Sequence, residues 1–109
     1  VKYSEQAGDE IMFTFEGTGA SIEGWWVKNG GKADVYVDGI FKRTIDCFYY
    51  YAKQEHRNIN IFHILNLEEG KHTINIVVKG EKREESEGCA IGVRGAVVYK
   101  NGTKSYDAI

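Results

Sequence analysis

The stretch KADVYVDGIFKRTIDC, residues 32–47, decides the fold. Ala33, Val35 and Val37 alternate with polar neighbours, the period-two pattern of a half-buried strand. Asp38-Gly39 then separates this run from a second one, and an Asp-Gly pair between such runs is a strong hairpin signal because glycine tolerates positive φ. Placing Phe41, Ile45 and Cys47 on the face of Val35 and Val37 requires an even pairing sum. A bulge near Gly39, rather than a plain two-residue turn, is therefore expected.

Working outward, similar runs occupy residues 11–16, 20–23, 59–65, 72–78 and 90–99. In the first, Ile11, Phe13 and Phe15 face one side while Met12, Thr14 and Glu16 face the other. Proline is absent and glycine occurs 13 times, so the turns fall to glycine with Asn, Asp and Glu. Residues 67–70 mark a second hairpin. Seven short strands without a helical pattern predict an all-β fold, an antiparallel β-sandwich. At 109 residues, the length suits a single domain over 1–109. The absence of an initiating Met leads us to expect a piece of a longer, multidomain chain.

The net charge of −2 and the pI near 5.9 argue against general nucleic-acid binding, which draws its affinity from neutralised phosphates. With 42% hydrophobic and 28% charged residues, the composition is that of a folded domain rather than a disordered one. No apolar run approaches the length of a membrane span, and residues 1–10 carry no signal core.

Connections in such a sandwich alternate between its two ends. The hairpins at Asp38-Gly39 and residues 66–70 then share one end, and the longer connections 24–31, 48–58 and 80–88 gather at the other, the usual place for function on a rigid scaffold. That rim carries Trp25, Trp26, Phe48, Tyr49, Tyr50 and Tyr51, six of the 14 aromatic residues. Neighbours in extended chain point to opposite sides, so some of these rings must be exposed. Exposed rings beside Gln54, Glu55, His56 and Arg57 are the ingredients of a sugar site, with flat faces for a pyranose and polar groups for its hydroxyls. The competing reading is that the rings plug the end of the core. Single-stranded nucleic acid is opposed by Glu81, Glu84, Glu85 and Glu87 in the third connection, set against only Lys82 and Arg83.

There is no G-x-S-x-G elbow, P-loop, H-E-x-x-H or C-x-x-C. Pairing Ile61 with Ile74 would set His63 opposite His72, but two histidines alone make no metal site, and bonding to backbone groups is the reading we favour. Asp34, Asp38 and Asp46 lack EF-hand spacing, which leaves them hairpin and surface roles. Cys47 and Cys89 both map to the rim and permit either one bridge or two buried thiols.

The segments FTFEGTGASIEG, GGKADVYVDG, KRTID, LNLEEGKHTINIVVKGEK and IGVRGAVVY together resemble the galactose-binding-like jelly-roll modules beside bacterial glycoside hydrolases and carbohydrate esterases. The likeness spans residues 11–99. Its most telling pieces, VYVDG (35–39) and GKHTI (70–74), are scaffold motifs and fix no ligand. The resemblance implies a bacterial protein that is secreted, periplasmic or on the cell surface, often with a structural calcium ion. It also implies sugar contacts on the rim at Trp25, Trp26, Tyr49, Tyr50, Tyr51, His56, Arg57 and Glu84.

The expectation is a non-catalytic carbohydrate-binding module that targets an attached enzyme to a glycan. The alternatives are a docking domain that contacts other proteins and, more remotely, a hydrolase using His56 with Glu55 or Glu84.

Overall fold

The computed structural model describes residues 1–49 and 55–109. Its nine strands are β1 (Lys2–Ser4), β2 (Glu10–Gly17), β3 (Gly19–Trp26), β4 (Lys32–Val37), β5 (Ile40–Asp46), β6 (His56–Ile64), β7 (Gly70–Val78), β8 (Ile91–Lys100) and β9 (Thr103–Ala108). They form two antiparallel sheets packed as a sandwich. One runs β1-β8-β3-β6 with β9 also on β8, and the other runs β2-β7-β4-β5. Alternation sends Ala33, Val35 and Val37, Ile74, Ile76 and Val78, Ala20 and Ile22, and Ile91, Val93, Ala96 and Val98 into one core between the sheets.

β1 and β9 are additions to the expected seven. Both lie on the same edge of β8 and are almost wholly exposed, so neither has a buried face to imprint an alternation on the sequence. They meet end to end, where the Val1 amino group donates to the Ile109 carbonyl at 2.8 Å.

The β4–β5 hairpin corrects one expectation. Asp38 and Gly39 both take positive φ, 52° and 79°, and Val37 pairs directly with Ile40, so the turn is a plain two-residue one. The bulge comes three residues later, at Lys42, where the register shifts between Val35 and Tyr36. Ile45 and Cys47 therefore enter the core, whereas Phe41 stays on the outer face with its ring 5.6 Å from that of Tyr36.

Residues 65–69 are a crossing between sheets, not a hairpin. β6 belongs with β3, and β7 lies between β2 and β4, so His63 stands opposite Ser21 while His72 stands opposite Phe15. The expected histidine pair does not form.

His72 instead ties the two scaffold motifs together. Its Nδ1 meets Asp38 Oδ2 at 2.6 Å and its Nε2 meets the Glu68 carbonyl at 2.6 Å. Asp38 Oδ1 also accepts the Thr73 N–H at 2.9 Å. Acceptors at both nitrogens favour the imidazolium form of the ring. The hydrogen bond to Asp38 raises the His72 pKa above 6.5, and the same bond lowers that of Asp38 below 3.8. The His72 contribution is complete below its unfolded value and is lost as pH rises through the raised one. The Asp38 contribution is lost as pH falls through the lowered one. Melting temperature should therefore fall as pH rises from the ordinary histidine value of 6.5 through the raised value of His72. In Asp38→Asn that slope should flatten; an unchanged slope would mean another group sets it.

Candidate functional site

Three connections meet at one end of the sandwich, and main-chain hydrogen bonds lace them together. Val27 N–H donates to the Cys47 carbonyl at 3.0 Å, and Tyr49 N–H donates to the Val27 carbonyl at 3.0 Å. On the other side Gly31 N–H donates to Ala90 at 2.9 Å and Glu87 N–H to Lys28 at 3.1 Å. Residues 27–31 thus run as a central rib between the second and third connections. Ser86, the buried polar residue of the described chain, donates to Gly30 O at 2.7 Å and lies 2.9 Å from Gly88 O, which locks the third connection onto that rib.

The rib also keeps the cysteines apart. Gly31 accepts from Cys47 N–H on one side and lies against Cys89 on the other, and both thiols are free. Burial, reinforced by Asp46, pushes the Cys47 thiol up to about 12, so it stays protonated and is no nucleophile at neutral pH.

The rim aromatics divide by direction. Phe48 is buried and plugs the core, with the Arg83 guanidinium 5.9 Å from its ring. Trp25 lies on the outer face of the five-stranded sheet. It is stacked with Tyr3 at 5.1 Å, and the Arg57 guanidinium sits over its ring at 4.3 Å. Gly92 makes room for it, since a Cβ there would fall on the indole. Arg57 is further held by Glu55 at 2.7 Å.

Trp26 turns the other way. It is 36% exposed, and its ring centroid is 4.5 Å from Tyr49 and 6.1 Å from His56, while Tyr49 and His56 meet edge to face at 4.9 Å. Register explains the grouping, because Trp26 pairs with His56 at the start of β6. Beside this cluster a cleft of about 300 Å³ opens between the edges of β5 and β6, lined by Trp26, Asp46, Cys47, Ile59, Asn60 and Ile61. Asp46 is oriented there by the Phe48 N–H at 3.1 Å and by Arg83 at 3.2 Å.

The structure thus brings together Trp26, Tyr49 and His56, and sets Trp25 and Arg57 apart on another face. Glu84 is exposed on the third connection and enters none of the described hydrogen bonds or ion pairs. Tyr50 and Tyr51 lie outside the described residues. Alternation alone does not mark Asp46, Asn60 and Ile61 as cleft residues, because the bulge between Phe62 and Asn60 sets the direction of the β6 pair and the bulge at Lys42 that of Asp46. Among the described residues no three His, Cys, Asp or Glu side chains gather as a metal site. Asp34 accepts from Thr44 and faces Lys79, whereas Asp38 serves His72.

This sandwich is a fold found inside a xanthan lyase. The Paenibacillus enzyme superposes with a TM-score of 0.59 at 13% identity, over 89% of this chain and 10% of that one. In sequence the chain is 36% identical over 76 residues to the A type blood N-acetyl-α-D-galactosamine deacetylase of Flavonifractor plautii. That match takes in 70% of this chain and 9% of the deacetylase. The chain therefore spans about a tenth of the length of the proteins it matches. No protein-family model matches it.

Proposed function

We propose that this chain is a non-catalytic carbohydrate-binding module of the galactose-binding-like kind, which holds an attached glycoside hydrolase or carbohydrate esterase at its glycan. The observation that carries the reading is the exposed Trp26 ring beside a cleft that also offers a carboxylate and an amide. A pyranose lays its apolar face on such a ring and turns its hydroxyls to such groups. His56 and Tyr49 support the ring from the side. The two similar proteins are both named for carbohydrates, and the match to a tenth of each suits an accessory domain of a larger enzyme. A secreted, periplasmic or cell-surface location in a bacterium belongs to the same proposal.

The test is a glycan-array screen of the domain, run with and without calcium. Binding to one glycan class, reduced in Trp26→Ala, is the expected result. Silence across the array would shift the weight to a docking role.

A further inference from the structure

We infer that the chain carries a second saccharide subsite on the outer face of the five-stranded sheet, at the end of β6 remote from the rim loops. A shallow depression of about 560 Å³ lies there, lined by Ser21, Asn60, His63, Leu65, Asn66 and Tyr99, with Thr18 at its margin. Three features give it a ligand chemistry.

First, the lining holds no Lys, Arg, Asp or Glu, although more than a quarter of the chain is charged. A phosphate, a nucleic acid or an acidic peptide would find no permanent countercharge, with only the titratable His63 beside it, which favours a neutral occupant. Second, the lining mixes an aromatic ring and an aliphatic side chain with amides, hydroxyls and an imidazole. Leu65 is 52% exposed, a cost that a covering ligand would relieve. The Tyr99 hydroxyl is fixed 3.2 Å from Ser21 Oγ, which orients the phenol across the floor. Such an alternation of apolar surface and paired donors and acceptors matches the two faces of a neutral sugar. Third, Asn60 lines both this depression and the rim cleft. Asn60 lies beside the β6 bulge at the sheet edge and is common to both, so one oligosaccharide passing over it can occupy both.

His63 thereby gains a role without a metal or a histidine partner. It stands in register with Ser21 on the outer face, where its ring can bond a sugar hydroxyl.

The subsite rests on the glycan-binding reading for its ligand class, but it is read out separately. The experiment is a two-dimensional amide NMR titration of the whole chain with N-acetylgalactosamine and with neutral oligosaccharides of two to four units ending in it. The expected result is shifts at Ser21, His63, Leu65 and Tyr99, appearing or growing with chain length. Longer ligands should bind roughly tenfold more tightly than the monosaccharide, and a His63→Ala, Leu65→Ala double variant should remove that gain while leaving monosaccharide affinity unchanged. Both substitutions are at exposed positions, and an unchanged spectrum elsewhere would report an intact fold. Shifts confined to Trp26, Asp46 and His56, with no gain with length, would overturn the subsite and leave the rim reading standing. Shifts confined to the depression would support the subsite and overturn the rim. No shift anywhere would overturn both.

Discussion

Gly30→Ala is expected to cost about 3 kcal/mol of stability and to abolish the proposed glycan binding along with it. A Cβ at this position would fall on the Cys47 carbonyl oxygen, and it would come within 2.8 Å of the Phe48 nitrogen. These are backbone atoms, so no rotamer change relieves the clash. Either the rib or the second connection must move. Whichever moves, the Val27–Cys47, Tyr49–Val27 and Cys47–Gly31 hydrogen bonds are strained or lost together. Tyr49 and Trp26 are seated by those bonds, so the damage reaches the cleft. Gly39→Ala is the informative comparison: nothing lies within 4 Å of its Cβ, and only the positive φ of 79° is unfavourable. It should cost about 1 kcal/mol. Chemical denaturation of the two variants checks the difference, and equal losses would contradict the close approach at the rib.

Ile22→Ala should destabilise the chain by about 2 to 5 kcal/mol. Ile22 is fully buried on β3, between Phe62 of β6 and Ala96 of β8. Its removal leaves a cavity walled by two neighbouring strands and the opposite sheet, which the pleat holds apart. Ile40→Ala deletes the same atoms from a side chain that is 62% exposed, and its effect should stay within about 0.5 kcal/mol. The pair of midpoints, measured in urea at constant slope, separates burial from strand propensity. Similar losses at both sites would refute the assignment of faces.

Much of this architecture was legible in the sequence because burial on one face leaves a period-two signature. Val35 and Val37, Ile74 and Ile76, and Phe15 all declared their direction. The gathering of residues 24–31 and 80–88 with the described part of the second connection followed from alternating chain ends. The opposite directions of Trp25 and Trp26 followed from the pleat, and the structure shows what each meets. Other features leave no such mark. β1 and β9 are edge strands with two wet faces, so their residues alternate with nothing. The sheet to which a strand belongs is set by how its connection crosses the sandwich, and pairing His63 with His72 requires residues 67–70 to form a hairpin, which they do not. Bulges at Lys42 and in β6 reset the face of every residue beyond them. That is why Ile45 and Cys47 point inward although Phe41, before the bulge, points outward, and why Asp46, Asn60 and Ile61 emerge as a cleft only in three dimensions.

The division of the tryptophans turns the account into one measurement. Trp26 lines the cleft, whereas Trp25 is engaged by Tyr3, Arg57 and Gly92 on another face. Calorimetric titration of the wild type, Trp26→Ala and Trp25→Ala should be made with the best ligand from the array. The account predicts that Trp26→Ala weakens binding by about 1 to 3 kcal/mol, roughly tenfold or more, while Trp25→Ala stays within about twofold of the wild type. Full affinity in Trp26→Ala, or a loss confined to Trp25→Ala, would contradict it.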